Sequence, residues 1–116
     1  MDMMLFKRSD NLVTPLTVGG VEYDNVDTVG EAQGCPFDAG LSEYTKGRAV
    51  EFDHADYCCA IYMIDGVLDV TENSTGGTIH AESGDVFYIP QSDGLKVTFS
   101  TPDHARIFWI CYPHWH

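Results

Sequence analysis

His54, Cys59, Tyr44, Tyr57 and Lys96 are the residues whose types could do chemistry together in one pocket. An imidazole exchanges its proton near neutrality, and a tyrosine hydroxyl donates a hydrogen bond. A thiolate is a nucleophile, and a lysine amine clamps an anion or attacks a carbonyl. His54 and Cys59 are therefore the catalytic candidates, and Tyr44, Tyr57, Cys59, Met63 and Lys96 are the expected lining of a ligand pocket. Each has an ordinary alternative. Tyr44 and Tyr57 also suit a core that satisfies their hydroxyls, and Cys59 suits a small buried apolar position. His54 sits in the polar stretch Asp53-His54-Ala55-Asp56, which fits solvent exposure as well as a barrel mouth. If a metal binds, His54 and Cys59 are its donors, but zinc needs two more. His80 and His104 are the remaining candidates, and hairpin or strand ends would place them on the surface.

Short strands must position these groups. Tyr57 to Ile64 reads as a strand, Asp65-Gly66 as a hairpin turn, and Val67 to Val70 as the returning strand, because glycine accepts the positive φ of a primed turn. Asn73 to Gly77 is a loop tip, and Thr78-Ile79-His80 a strand. Ser83-Gly84-Asp85 is a turn, and Val86 to Ile89 a strand ended by Pro90. Upstream, Met4-Leu5-Phe6, Asn11-Leu12-Val13 and Val21-Glu22-Tyr23 are weak strand signals. Phe37 to Thr45 and Ala49 to Phe52 are stronger ones, with Ser42 and Tyr44 on one face of theirs. Strict alternation puts Tyr57, Cys59, Ile61 and Met63 on the inner face and Cys58, Ala60, Tyr62 and Ile64 on the other. Both faces of Tyr57 to Ile64 and of Ile107 to Tyr112 are apolar, so the outer face calls for cover. The N-terminal arm, the C-terminal residues 113–116 or a second subunit could supply it.

The order of strand, Asp65-Gly66, strand, loop, strand and Gly84-Asp85-Val86-Phe87-Tyr88-Ile89-Pro90 resembles the core of a cupin. Within cupins the chain is similar to the ethanolamine utilisation protein Q group. That likeness rests on Ala39-Gly40, Ile64-Asp65-Gly66, Gly84 to Pro90, Phe99-Ser100-Thr101-Pro102 and Arg106 to Trp115. It implies an all-β double-stranded β-helix, a jelly-roll barrel like RmlC. Residues 35–116 would form the cupin barrel and 1–34 the N-terminal strands and arm packed on it, within one domain. Metal-binding cupins carry two histidines, a glutamate and a third histidine. Counted back from Gly66, the first three positions fall on Phe52, His54 and Cys59, and the last lies near Leu95 or Lys96. No metal site and no cofactor are therefore expected, a divalent metal at an atypical site being the alternative. The group has been associated with acetate kinase activity in ethanolamine breakdown, with inward acids where Cys59 and Ile61 stand here. This chain also shows no Gly-x-x-x-x-Gly-Lys loop or basic cluster for phosphoryl transfer.

Eighteen acidic residues against six basic ones give a net charge of −12, which repels phosphate backbones and anionic bilayers. Nucleic acid and membrane are thus not expected partners. No secretory signal or membrane span is visible, and the four cysteines show no disulfide framework, so reduced thiols in a bacterial cytoplasm are expected. Association with a microcompartment follows from the resemblance alone. The expected function is small-molecule binding in the barrel of a homodimer, in an accessory role in small-molecule catabolism. One alternative is a metal-independent cupin enzyme, a lyase, isomerase or acetate-kinase-like protein, with His54 as base. The other is a metal-dependent dioxygenase or isomerase.

Overall fold

The computed structural model describes residues 3–5, 14–18 and 20–115. Its strands are β1 (Thr14–Val18), β2 (Val21–Val29), β3 (Asp38–Thr45), β4 (Val50–Asp53), β5 (Cys58–Glu72), β6 (Thr78–Glu82), β7 (Val86–Ile89), β8 (Lys96–Ser100) and β9 (His104–Tyr112). All pairings are antiparallel. One sheet runs β1-β2-β3-β9-β5-β7, the other β4-β8-β5-β6, and together they make a nearly closed cupin barrel. β1 and β2 continue the first sheet beside β3. Of the earliest strand signals, residues 3–5 carry no regular structure. Phe6 and Asn11-Leu12-Val13 lie outside the described residues.

The hairpin expected at Asp65-Gly66 does not form. β5 runs unbroken through it, because its two halves find different partners. Cys58 to Gly66 pairs with β9 and, over Cys59 to Tyr62, with β7; Val67 to Glu72 pairs with β6 and β8. Gly66 has φ +81° and sits beside a register shift between Met63 and Asp65. The left-handed residue thus bends one strand from sheet to sheet instead of reversing it. A Cβ there would lie 2.1 Å from the His104 carbonyl oxygen, so the backbones approach too closely for any side chain.

Alternation in β5 follows the expected register. Tyr57, just before the strand, Cys59, Ile61 and Met63 are buried, while Ala60, Tyr62 and Ile64 are exposed. Outside, Leu41, Phe108, Tyr62 and Val86 stand opposite one another across β3, β9, β5 and β7. Ile110, Ala60 and Tyr88 form the adjoining row. Trp115 does not cover these rows, because it packs on Phe52 and Trp109 at the cavity inside.

Candidate functional site

A small cavity of about 30 Å³, opening towards solvent, lies between the sheets. Tyr23 from β2, Tyr44 from β3, Phe52 from β4, Phe99 from β8 and Trp109 from β9 bring aromatic rings into its wall. Tyr57 and Trp115 complete it. These rings converge because each occupies the inward register of its strand, as Ser42 and Tyr44 do on β3. They pack edge to face in most pairs: Phe52 meets Phe99 at 5.0 Å and 61°, and Trp109 meets Trp115 at 6.0 Å and 82°. Tyr23 and Tyr44 stack at 5.2 Å. Such contacts lock the ring orientations beyond what area burial alone supplies.

His54 is buried in the same wall, at 1% exposure. Its backbone is held by hydrogen bonds to Leu95 and Ser92, so the Asp53–Asp56 stretch carries it into the barrel rather than to water. Nδ1 donates to the Tyr57 carbonyl at 3.1 Å, and a carbonyl can only accept, so the neutral ring carries its proton there. Nε2 then keeps a lone pair. Burial lowers the His54 pKa below its ordinary 6.5 against the raising effects of the Tyr57 carbonyl and Asp53. Burial also pushes Tyr57 up to about 12 and Tyr44 well above 10.0. Among the described residues, the cavity wall is therefore polar in places and uncharged.

Cys59 faces the cavity, but not as a thiol. It is bonded to Cys111, its opposite residue on β9, with Cα atoms 4.4 Å apart. The expectation of reduced cysteines without pairing geometry is corrected here. Adjacent Cys58 and Cys59 do point to opposite faces, yet pairing depends on what lies across the sheet, and register places Cys111 there. As a disulfide, Cys59 has no thiolate to attack with or to bind a metal, so its role as a nucleophile is also corrected. Cys35 and Cys58 are free.

Of the other expected lining residues, Tyr44 and Tyr57 lie in the wall. Met63 points inward but is buried in the core below the cavity-lining set. Lys96 is corrected: it is exposed on β8 opposite exposed Asp53, and contributes nothing to the cavity. His80 and His104 are on the surface, as expected. His80 is bonded to Asp69 and His104 to Asp103 and Asp65, and each pairing raises the imidazole pKa.

The metal-binding set of a cupin does not fit this wall. Among the described residues His54 is its one imidazole, Cys59 is oxidised, and no cluster of three or more His, Cys, Asp or Glu suited to a metal occurs there.

Sequence reasoning missed Trp109, Trp115 and Cys111 as site residues. Alternation on β9 could have found Trp109 and Cys111, which share an inward face with Ile107. Trp109 is held by its Nε1–H donating to Ser42 Oγ at 2.9 Å, and Ser42 in turn donates to Asn25 at 2.6 Å. Trp115 carried no such signal. Buried Asp38 fixes it, accepting the Trp115 backbone N–H at 2.9 Å and the His114 imidazole at 2.7 Å. Among the described residues of the wall, Trp115 alone is half-buried, so this strap forms the cavity's outer edge. A wider, more open groove beside the β5–β6 hairpin and the loop after β7 contains none of the candidate residues.

The family model for ethanolamine utilisation protein EutQ matches residues 22–116. An acetate kinase EutQ of Clostridioides difficile (strain 630) is 36% identical over 73 residues, which is 63% of this chain and 41% of that protein. The chain thus spans about two fifths of that relative's length. The solved Clostridium difficile EutQ structure superposes with a TM-score of 0.76 at 27% identity, covering 94% of this chain and 86% of that one. The polyketide cyclase RemF from Streptomyces resistomycificus has the same fold, with a TM-score of 0.82 at 17% identity over 96% of this chain and 80% of RemF. With its matched span covering β2 to β9 of the cupin barrel, this chain belongs to the ethanolamine utilisation protein EutQ family.

Proposed function

We propose that the chain binds a small molecule inside its barrel, in an accessory role in small-molecule catabolism. The observation that carries this reading is the cavity itself: aromatic rings from both sheets, a neutral oriented imidazole, and one half-buried ring at the edge. Apolar walls with few fixed polar groups are the usual make-up of a ligand pocket. The chain has two tryptophans, Trp109 and Trp115, both in this wall. In an NMR screen of small fragments, binders should move the two indole N–H resonances first. Fragments that perturb only the outer face or the groove beside β6 would sink the reading.

A metal-independent enzyme is the second reading, and His54 favours it. With its proton on Nδ1, the ring can take a proton from a substrate at Nε2. If it does, His54→Ala should abolish turnover of a ligand that the cavity still binds. Acetate kinase activity, the name of the C. difficile relative, is not carried over. Phosphoryl transfer needs cationic charge neutralisation, and among the described residues no lysine or arginine lines the cavity.

The partner in this reading is a second copy of the chain. The outer rows on β9, β5 and β7 are apolar and uncharged, so two chains of net charge −12 could meet there without opposing acids. No helix among the described residues is long and apolar enough to cross a membrane, and a cytoplasmic location belongs to the same reading. The Cys59–Cys111 bond weighs against it, since cytosolic thiols are kept reduced. Mass analysis of chain alkylated in intact cells would decide.

A further inference from the structure

The cavity is small for the number of rings around it. Ligand pockets enclose about 300 to 1,000 Å³, whereas this one, at about 30 Å³, has room for about one water molecule. The rings that would line a ligand meet one another instead. Trp115 sets its indole against Phe52 and Trp109, at 75° and 82° with centroids 6.4 and 6.0 Å apart, and these edge-to-face contacts cover ring surface that a ligand would use. A small molecule can enter only if part of the wall moves.

The parts of the wall differ in what holds them. Trp109 lies between Gly40 and Ile61 in the ladder, and Phe99 between Val50 and Val70. His54 is tied by backbone bonds to Leu95 and Ser92. Trp115 follows β9, outside the strands, and is half-buried. Its strap is moored at Asp38, which accepts the Trp115 backbone N–H and the His114 imidazole. Gly30 makes room for that carboxylate, since a Cβ there would lie 2.7 Å from Asp38 Oδ1.

We propose that Trp115 is a plug built into the chain: its indole occupies the place of a flat aromatic ligand beside Phe52 and Trp109, and the site opens when the strap leaves Asp38. The proposal rests on the reading of the barrel as a small-molecule site and adds how that site is closed and which ligand class it takes. The space Trp115 fills has the shape of a planar ring with ring edges and faces around it. A ring tethered this closely has an effective concentration on the order of millimolar. The apparent affinity for a free ligand is therefore reduced by the fraction of time the strap is open.

Indole itself is the first probe, titrated by calorimetry into the full chain and into its Trp115→Ala variant while the Trp109 indole N–H resonance is followed. It should bind the variant about tenfold or more tighter than the parent and move that resonance. Benzyl alcohol and its saturated counterpart cyclohexylmethanol then test flatness, and the variant should prefer benzyl alcohol. Equal or reversed affinities for this pair overturn the aromatic class. Equal indole affinity in the two chains, with the Trp109 resonance moving in both, overturns the plug and leaves the small-molecule site standing. No probe or fragment moving that resonance in either chain removes both. If the variant shows no cooperative melting, hydrogen exchange of the parent chain decides. The Trp115 amide should exchange about a hundredfold or more faster than β9 amides paired with β5, because the strap opens without the barrel. Exchange as slow as in β9 overturns the plug.

Discussion

Along the first half of β5, Cys59, Ile61 and Met63 point into the barrel and are buried, whereas Ala60, Tyr62 and Ile64 point outward and stay exposed. The two faces hardly differ in hydrophobicity. They differ in what they meet. The inner face is closed by the opposite sheet, by a ring network and by a covalent bond to β9. The outer face continues across β9 and β7 as rows of Phe108, Ile110, Val86 and Tyr88 with nothing of this chain's described residues upon it. Apolar character thus marks an interior on one side and an exposed surface on the other, and only what lies opposite tells them apart.

Changes that act on one face or on both sharpen this contrast. The largest effect is expected for the bond that closes the inner face. Cys59→Ser together with Cys111→Ser should lower unfolding stability by about 4 kcal/mol, the loop-entropy value for a sequence separation of 52 residues. Urea melts of the oxidised chain and the double variant measure it. Equal midpoints would mean that the bond contributes nothing and that packing alone closes the interior.

Next comes Gly66→Ala, which strikes both faces at the bend between the sheets. A left-handed φ and a Cβ driven into the His104 carbonyl should together cost about 3 kcal/mol. Gly84→Ala is the control, since its φ is also positive but nothing lies within 4 Å of a Cβ there. It should cost only about 1 kcal/mol. Similar losses for the two would show that the close approach at Gly66 does not matter.

Tyr62→Asp separates the faces most cleanly. It places a charge in the outer apolar row, so sedimentation should show weaker self-association, by about tenfold or more in Kd. The fold of a single chain should change by no more than about 0.5 kcal/mol, as for an exposed site. A variant that melts much earlier as a monomer would show that this face supports the barrel itself.

The smallest effect is on pH. His54 has a folded pKa below its ordinary 6.5, so the unfolded chain binds its proton more readily. The stability tied to its neutral form is fully present above pH 6.5 and is lost as pH falls through the lowered folded value. His80 and His104 have raised pKa values and act in the opposite sense. Their contribution is complete below pH 6.5, fades as pH rises through the folded values, and is weakened by solvent at these exposed sites. Urea midpoints between pH 8 and 5 should therefore fall less steeply in His54→Gln than in the parent chain. An unchanged acid slope would place the proton uptake elsewhere than in the interior.

Local pattern made much of this legible. The alternation from Tyr57 to Ile64 and the glycine and proline punctuation of residues 84–90 placed the strands, and β5, β6, β7 and β9 follow them. The inward register also brought Tyr44, Tyr57 and Cys59 to one cavity, because period-two geometry holds wherever a strand forms. His54 was harder to read. Its neighbours are polar, and its burial depends on backbone bonds to Ser92 and Leu95, nearly forty positions away in the chain.

What the sequence determined by itself was therefore most of the strands from β3 onward, the faces of Tyr57 to Ile64, and the cupin and EutQ resemblance carried by residues 35–116. Four features were decided only in tertiary structure. Asp65-Gly66 has the composition of a hairpin turn, but pairing of its flanks with different sheets makes it a bend. Cys59 and Cys111 lack any telling spacing and become neighbours only through the β5–β9 register. Lys96 turns outward opposite Asp53, and Trp115 reaches the cavity edge because Asp38 anchors the strap. The physical reason is common to all four. Alternation and turn propensity act between neighbours along the chain, whereas these contacts are chosen by which strands meet.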